Sequence, residues 1–114
     1  MDIKRLSDDV SVTGQIAPGD IAAIKSAGYR SIVCNRPDGE ASGQPAFRDV
    51  EAAAKSAGVE IRYLPVVPGK ITPADGKAFA SLMQQLPKPM LAYCRSGSRS
   101  TSLHALALSQ GYRP

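Results

Sequence analysis

Tryptophan is absent from this chain of 114 residues, histidine occurs once, cysteine twice, and aromatic residues make up only 5%. Each shortage excludes something. Two cysteines are too few for the disulfide framework of a small secreted domain and suit a reducing compartment, so a cytoplasmic protein is expected. His104, Cys34 and Cys94 lie on separate stretches with no zinc-ligand spacing, so neither a metal nor a cofactor is expected. The net charge of +4 is spread along the chain, and so few aromatic rings leave little on which bases could stack. A nucleic-acid partner is therefore not expected; a positive field that draws in a small anion accounts for the charge. No apolar run approaches the roughly 20 residues that span a bilayer, and Met1 to Asp9 carries no apolar core of a secretory leader. With 43% hydrophobic and 21% charged residues, the composition is that of one soluble globular domain.

The chain alternates apolar stretches of two periods. Residues 3–6 and 10–13 alternate as short strands, and 31–35, 59–67 and 90–93 read as buried strands. Residues 18–27, 46–57 and 72–86 carry helical spacing, as does 101–110 after the last strand. Pro18 and Asp20 open the first helix, and Gly28 and Gly58 close the first two. The segment Ala23–Tyr29 resembles Ala53–Val59, a repeated helix–glycine–strand joint. Leu108–Tyr112 looks like a third joint just before Pro114, as expected of a domain excised from a longer chain. Strands alternating with helices predict an α/β sandwich with a largely parallel central sheet. Its ligand is expected at the carboxyl ends of the strands.

One stretch concentrates chemistry at that edge. Tyr93 runs into Cys94-Arg95-Ser96-Gly97-Ser98-Arg99-Ser100, and a helix follows. A strand, a glycine-containing loop and a helix N-terminus gather backbone N–H groups around one point. Those donors, with Arg95 and Arg99, favour the thiolate of Cys94, its nucleophilic form. Such a thiolate can attack phosphorus, as in a cysteine-dependent phosphatase, or take a sulfane sulfur and carry it as a persulfide. The matching partner is a small anion, a phosphomonoester in the first case and thiosulfate or a persulfide in the second. A non-catalytic anion- or persulfide-binding module is the third alternative.

The strand pair followed by residues 31–35, 59–67 and 90–102 resembles the dual-specificity branch of the protein tyrosine phosphatase fold. The nearest likeness is to the bacterial beta-lactamase-hydrolase-like, or phosphatase-like, domain family of unknown function. Asn35-Arg36-Pro37-Asp38-Gly39-Glu40 and Tyr93 to Ser100 carry it most specifically. The resemblance implies a three-layer sandwich and, since members are often fused to one, a persulfide dioxygenase-type partner or neighbouring domain. Phosphatases of that fold place five residues between cysteine and arginine, which would put the arginine at position 100. Here Ser100 stands there and Arg99 one place earlier, so Cys94-Arg95-x-Gly97-x-Arg99 is similar instead to the rhodanese loop. The smaller cradle suits one sulfur better than a tetrahedral phosphate.

Proton donors point the same way. The fold would carry an acidic residue after residues 59–67, where the chain reads Pro68-Gly69-Lys70-Ile71. Asp75 follows Thr72 by three residues, the spacing of a helix cap. Asp38 and Glu40 suit turn formation or arginine pairing at least as well as acid–base work. Arg36 reads as an exposed turn residue, with pairing to Asp38 or contact with a substrate as the alternative, and His104 as an ordinary helix residue. Ser98 and Ser100 are expected near the sulfur or capping the helix. Cys34 is expected to be buried, with a reversible disulfide to Cys94 as the functional alternative. The favoured expectation is a rhodanese-type sulfurtransferase with Cys94 as persulfide carrier, and the alternative is a phosphatase with Cys94 as nucleophile and Arg99 as anion clamp.

Overall fold

The computed structural model describes residues 1–113. Its centre is a sheet of five strands in the order β1-β2-β5-β3-β4. These are β1 (Lys4–Arg5), β2 (Val10–Thr13), β3 (Ser31–Cys34), β4 (Glu60–Tyr63) and β5 (Met90–Tyr93). Only β1 is antiparallel to its neighbour; β2, β5, β3 and β4 run parallel. Two helices, α1 (Ile21–Ser26) and α2 (Phe47–Ser56), cover one face, and α3 (Pro73–Gln85) and α4 (Ser98–Ser109) cover the other. This is the expected three-layer α/β sandwich with a mostly parallel sheet.

Strand alternation divides the core in two. Val33, Met90 and Ala92 meet Phe79 and Met83 of α3 and Leu103 and Ala107 of α4. Ile32, Leu91 and Tyr93 meet Ile21 and Ile24 of α1 and Val50 and Ala54 of α2. Because β5 and β3 are covered on both faces, they consist of buried residues throughout.

The element limits differ from expectation where side-chain spacing is a poor guide. Residues 18–20 form a 3₁₀ turn before α1, with Asp20 Oδ2 accepting the Ala17 N–H at 2.8 Å. The fourth strand stops at Tyr63 rather than residue 67, because Pro65 has no N–H to continue a ladder. Its flanking amides bend inward, Leu64 N–H to the Cys34 carbonyl at 2.9 Å and Val66 N–H to the Asn35 carbonyl at 3.0 Å. The fourth helix begins at Ser98, three residues earlier than its apolar spacing indicates.

In-register pairing brings Thr13, Tyr93, Cys34 and Tyr63 to one edge of the sheet. Whatever follows those residues therefore meets: Gly14-Gln15, Cys94-Arg95, Asn35-Arg36 and Leu64 to Val66. No helix among the described residues is long and apolar enough to cross a membrane.

Candidate active site

Cys94 leaves the central strand fully buried, and the chain turns at once into α4. The turn depends on two glycines. Gly97 has φ of 92°, in the left-handed region that a side chain would strain, and is the N-cap of α4. Gly14 lets the loop close on β2: a Cβ there would lie 2.8 Å from the Arg95 carbonyl oxygen.

The first intrahelical bond of α4 runs from Thr101 N–H to the Gly97 carbonyl at 3.0 Å, so the preceding amides need other acceptors. They find the sulfur. Gly97 N–H donates to Cys94 Sγ at 3.0 Å, and the amides of Ser96, Arg99 and Ser100 also act on it. Burial opposes the thiolate, yet the amides of Ser100, Ser96, Arg99 and Gly97 together outweigh it and hold the Cys94 pKa below the ordinary thiol value. Gly97→Ala should strain the turn by about 1–2 kcal/mol and pull the amides off the sulfur. A lower melting temperature and slower iodoacetamide alkylation of Cys94 at neutral pH are expected; unchanged alkylation would show that the amides do not set its reactivity.

Arg99 is buried beside the sulfur, whereas Arg95 is exposed. Arg99 donates from Nη1 to Glu40 Oε2 at 2.7 Å and to the Val66 carbonyl at 3.0 Å, and from Nη2 to Glu40 Oε1 at 2.9 Å. Arg36 is a correction to expectation. It is 5% exposed rather than a free turn residue, with Nε on Glu40 Oε1 at 3.0 Å and Nη1 on Gln15 Oε1 at 3.1 Å. One partner, Glu40, lies in the same turn, but the other, Gln15, comes from a stretch 21 residues away, which turn composition cannot reveal. Hydrogen bonding from Arg99, aided by Arg36 and against partial burial, lowers the Glu40 pKa to about 2.

The remaining expected residues separate into supporters and bystanders. Ser100 Oγ donates to Asn35 Oδ1 at 2.8 Å, tying α4 to the end of β3, while only its amide serves the sulfur. The hydroxyls of Ser96 and Ser98 lie 3.1 Å apart on the exposed side of the loop. Asp38 Oδ1 accepts the Phe47 N–H at the start of α2 at 2.8 Å. Asp75 and Thr72 exchange bonds at the start of α3, Asp75 Oδ2 taking the Thr72 N–H at 2.9 Å. Thus Asp38 and Asp75 serve helix starts, and Glu40 is held as a carboxylate by two arginines. His104 is buried in α4, and burial lowers its pKa.

Cys34 packs with Tyr93 on the α1–α2 face, its Sγ 3.3 Å from the Arg36 carbonyl oxygen, and burial raises its pKa. Alternation sends Cys94, after Ala92, toward the opposite face. Both thiols are free. Cys94 follows Tyr93, the residue paired with Cys34 across the ladder, and is near enough to act electrostatically on the Cys34 thiol. Glu40 takes the arginine-pairing role open to it in the sequence, whereas Gln15, Gly14 and the Asn35–Ser100 bond are parts of the site that the sequence does not announce. Only Glu40 had a local signal, a carboxylate four residues after an arginine.

The sequence matches the family described as beta-lactamase hydrolase-like protein, phosphatase-like domain, over residues 2–112. The chain belongs to this family. A beta-lactamase hydrolase-like protein of Agrobacterium fabrum is 34% identical over 102 residues, covering 90% of this chain and 24% of the relative. The chain thus spans about a quarter of that relative's length. A crystal structure of a candidate phosphatase from Neisseria meningitidis superposes with a TM-score of 0.90 at 32% identity, covering 100% of this chain and 81% of that one. The core catalytic domain of a PP-IP phosphatase from S. cerevisiae shares the fold alone, with a TM-score of 0.69 at 12% identity over 89% of this chain and 60% of that one. The phosphatase-like domain therefore has phosphatases as its structural neighbours. That favours the phosphatase alternative over the sulfurtransferase expected from the loop spacing.

Proposed function

We propose that this phosphatase-like domain is a cysteine-dependent hydrolase of small phosphorylated anions, with Cys94 as nucleophile. The observation that carries it is the convergence of four amides on a buried sulfur at the N-terminus of α4, with Arg99 alongside. Donors fixed before the substrate arrives stabilise the charge that develops on the transferring group. Family membership and the fold of the neighbours support the same reading.

Cys94 Sγ attacks phosphorus opposite the leaving oxygen; the S–P bond forms as the P–O bond breaks. The electron pair departs with that oxygen, which is protonated from water. Water then attacks the phosphocysteine, the S–P bond breaks, and inorganic phosphate and the thiolate are released. With Asp38 and Asp75 engaged at helix starts and Glu40 paired with arginines, no carboxylate is assigned as proton donor, and the best substrates are those whose leaving group departs as an anion, aryl phosphates and phosphoanhydrides before alkyl phosphates.

The same missing proton donor favours a second reading, sulfane transfer. Cys94 would attack the outer sulfur of thiosulfate, the S–S bond would break, and sulfite would leave with the electron pair. A thiolate acceptor would then attack the outer sulfur, the S–S bond to Cys94 would break, and the Cys94 thiolate would be restored; the acceptor persulfide is the class of product a persulfide dioxygenase-type partner would consume with O2.

One experiment separates the two: aryl phosphate hydrolysis beside intact-protein mass spectrometry after thiosulfate treatment. Vanadate-sensitive hydrolysis without sulfur gain is the expected result. A single added sulfur on Cys94 without hydrolysis would replace the phosphatase reading by the sulfurtransferase. If neither signal appears, the domain is an anion-binding module.

A further inference from the structure

We infer that Glu40 is the residue that positions Arg99 for anion binding, by occupying one edge of its guanidinium and leaving the other open toward Cys94. The inference rests on the reading that an anion docks over Cys94, and it assigns the groups that orient the anion's clamp.

A guanidinium has five N–H donors in a fixed plane. The protein takes three of them on Arg99: one from each Nη goes to the two oxygens of Glu40, and the second on Nη1 goes to the Val66 carbonyl. What remains is Nε–H and the outer N–H of Nη2, two parallel donors on the other edge. On that side the guanidinium also hydrogen-bonds the Cys94 side chain. The pair of donors matches two oxygens of a phosphate or sulfonate. The Cys94 sulfur is near enough to favour the charged form of this guanidinium, which places the open side of Arg99 by the nucleophile.

Glu40 is itself fixed. Arg36 donates to Oε1 and is held in turn by Gln15, which directly follows Gly14 on the strand end beside the Cys94 loop. Both arginines are buried, with side chains 6% and 8% exposed, so neither can find a replacement partner in solvent. Without Glu40, two buried like charges would face one another, and Arg99 would lose the partner that holds its Nε edge toward the sulfur. Glu40 thus sets which edge of Arg99 meets the substrate rather than contacting the substrate itself; it is a positioning residue.

The test uses alkylation of Cys94, which needs no assumption about phosphorus or sulfur chemistry. Iodoacetate carries a carboxylate and iodoacetamide does not, so their rate ratio reads anion docking at the sulfur. In Glu40→Ala and Glu40→Gln the ratio should fall about fivefold or more, each variant's own iodoacetamide rate serving as the reference for thiolate reactivity. Glu40→Asp should recover part of the ratio. A ratio that rises would make Glu40 a competitor for the anion site, and an unchanged ratio would leave it only structural; either overturns the proposal. Should the variants not fold, inorganic phosphate titrated into the wild type should shift the Arg99 Nε–H resonance together with the Gly97 amide. A shift at Gly97 alone would defeat the role assigned to Arg99 and Glu40 while leaving anion docking intact. No shift at either would defeat anion docking itself.

Discussion

Cys94→Ser is expected to lower hydrolysis by at least about 10³-fold, to the solvent background, because a serine hydroxyl is not ionised near neutrality and needs a base to act as a nucleophile. No base stands over position 94: Asp38 and Asp75 serve helix starts, and His104 lies buried in α4. The fold should survive, since Ser is close to Cys in size and can receive the same amides. A pH effect accompanies the loss. The Cys94 pKa is lowered from 9.0, so the folded protein releases this proton more readily than the unfolded chain. The resulting stabilisation is fully present above about pH 9, where even the unfolded thiol is ionised, and is lost as pH falls through the folded pKa. The wild type should therefore gain stability relative to Cys94→Ser as pH rises from the folded pKa toward 9. Urea midpoints of the two proteins across that interval read the difference. A constant difference would mean that the cradle does not prefer the thiolate.

How much of this was legible in the residues differs between the scaffold and the site. The layers follow from apolar period and glycine placement: Gly28 and Gly58 take positive φ at the helix ends where they were expected. The loop was legible as a loop, but not as the first turn of a helix. Ser98, Arg99 and Ser100 carry no apolar periodicity; the amides of Arg99 and Ser100 face the sulfur, and that of Ser98 goes to the Ser96 hydroxyl at 3.5 Å. Arg36 and Glu40 were misjudged or underused because their partners, Gln15 and Arg99, lie 21 and 59 residues away, beyond any local pattern. The loop spacing led toward sulfur transfer for a related reason. Counting residues between a cysteine and an arginine measures the size of a cradle and does not by itself fix the substrate; the phosphatase-like neighbours are what favour the alternative.

Arg99→Met provides the second large effect. Removing a bidentate, charge-assisted contact that strengthens as charge builds on the transferring group should cost about 3–4 kcal/mol in kcat/KM, roughly 10²–10³-fold. Arg99→Lys should recover little of it. A lysine supplies one charge without the parallel donors and cannot satisfy both Glu40 oxygens and the Val66 carbonyl from one nitrogen while also reaching an anion. Arg95 offers the internal contrast. It follows the nucleophile directly and carries the same charge, but it is exposed. Arg95→Ala should change kcat/KM by no more than about threefold, with most of the change gone at high salt, as for a solvent-screened charge. The Arg99 loss should persist in salt, because that side chain is only 8% exposed and water does not screen it well. If Arg95→Ala proved the more damaging of the two, the anion would have to approach from the exposed side of the loop, over Ser96 and Ser98. The clamp would then belong to Arg95, and the pair of Glu40 and Arg99 would be reduced to a structural tie between the turn after β3 and the start of α4.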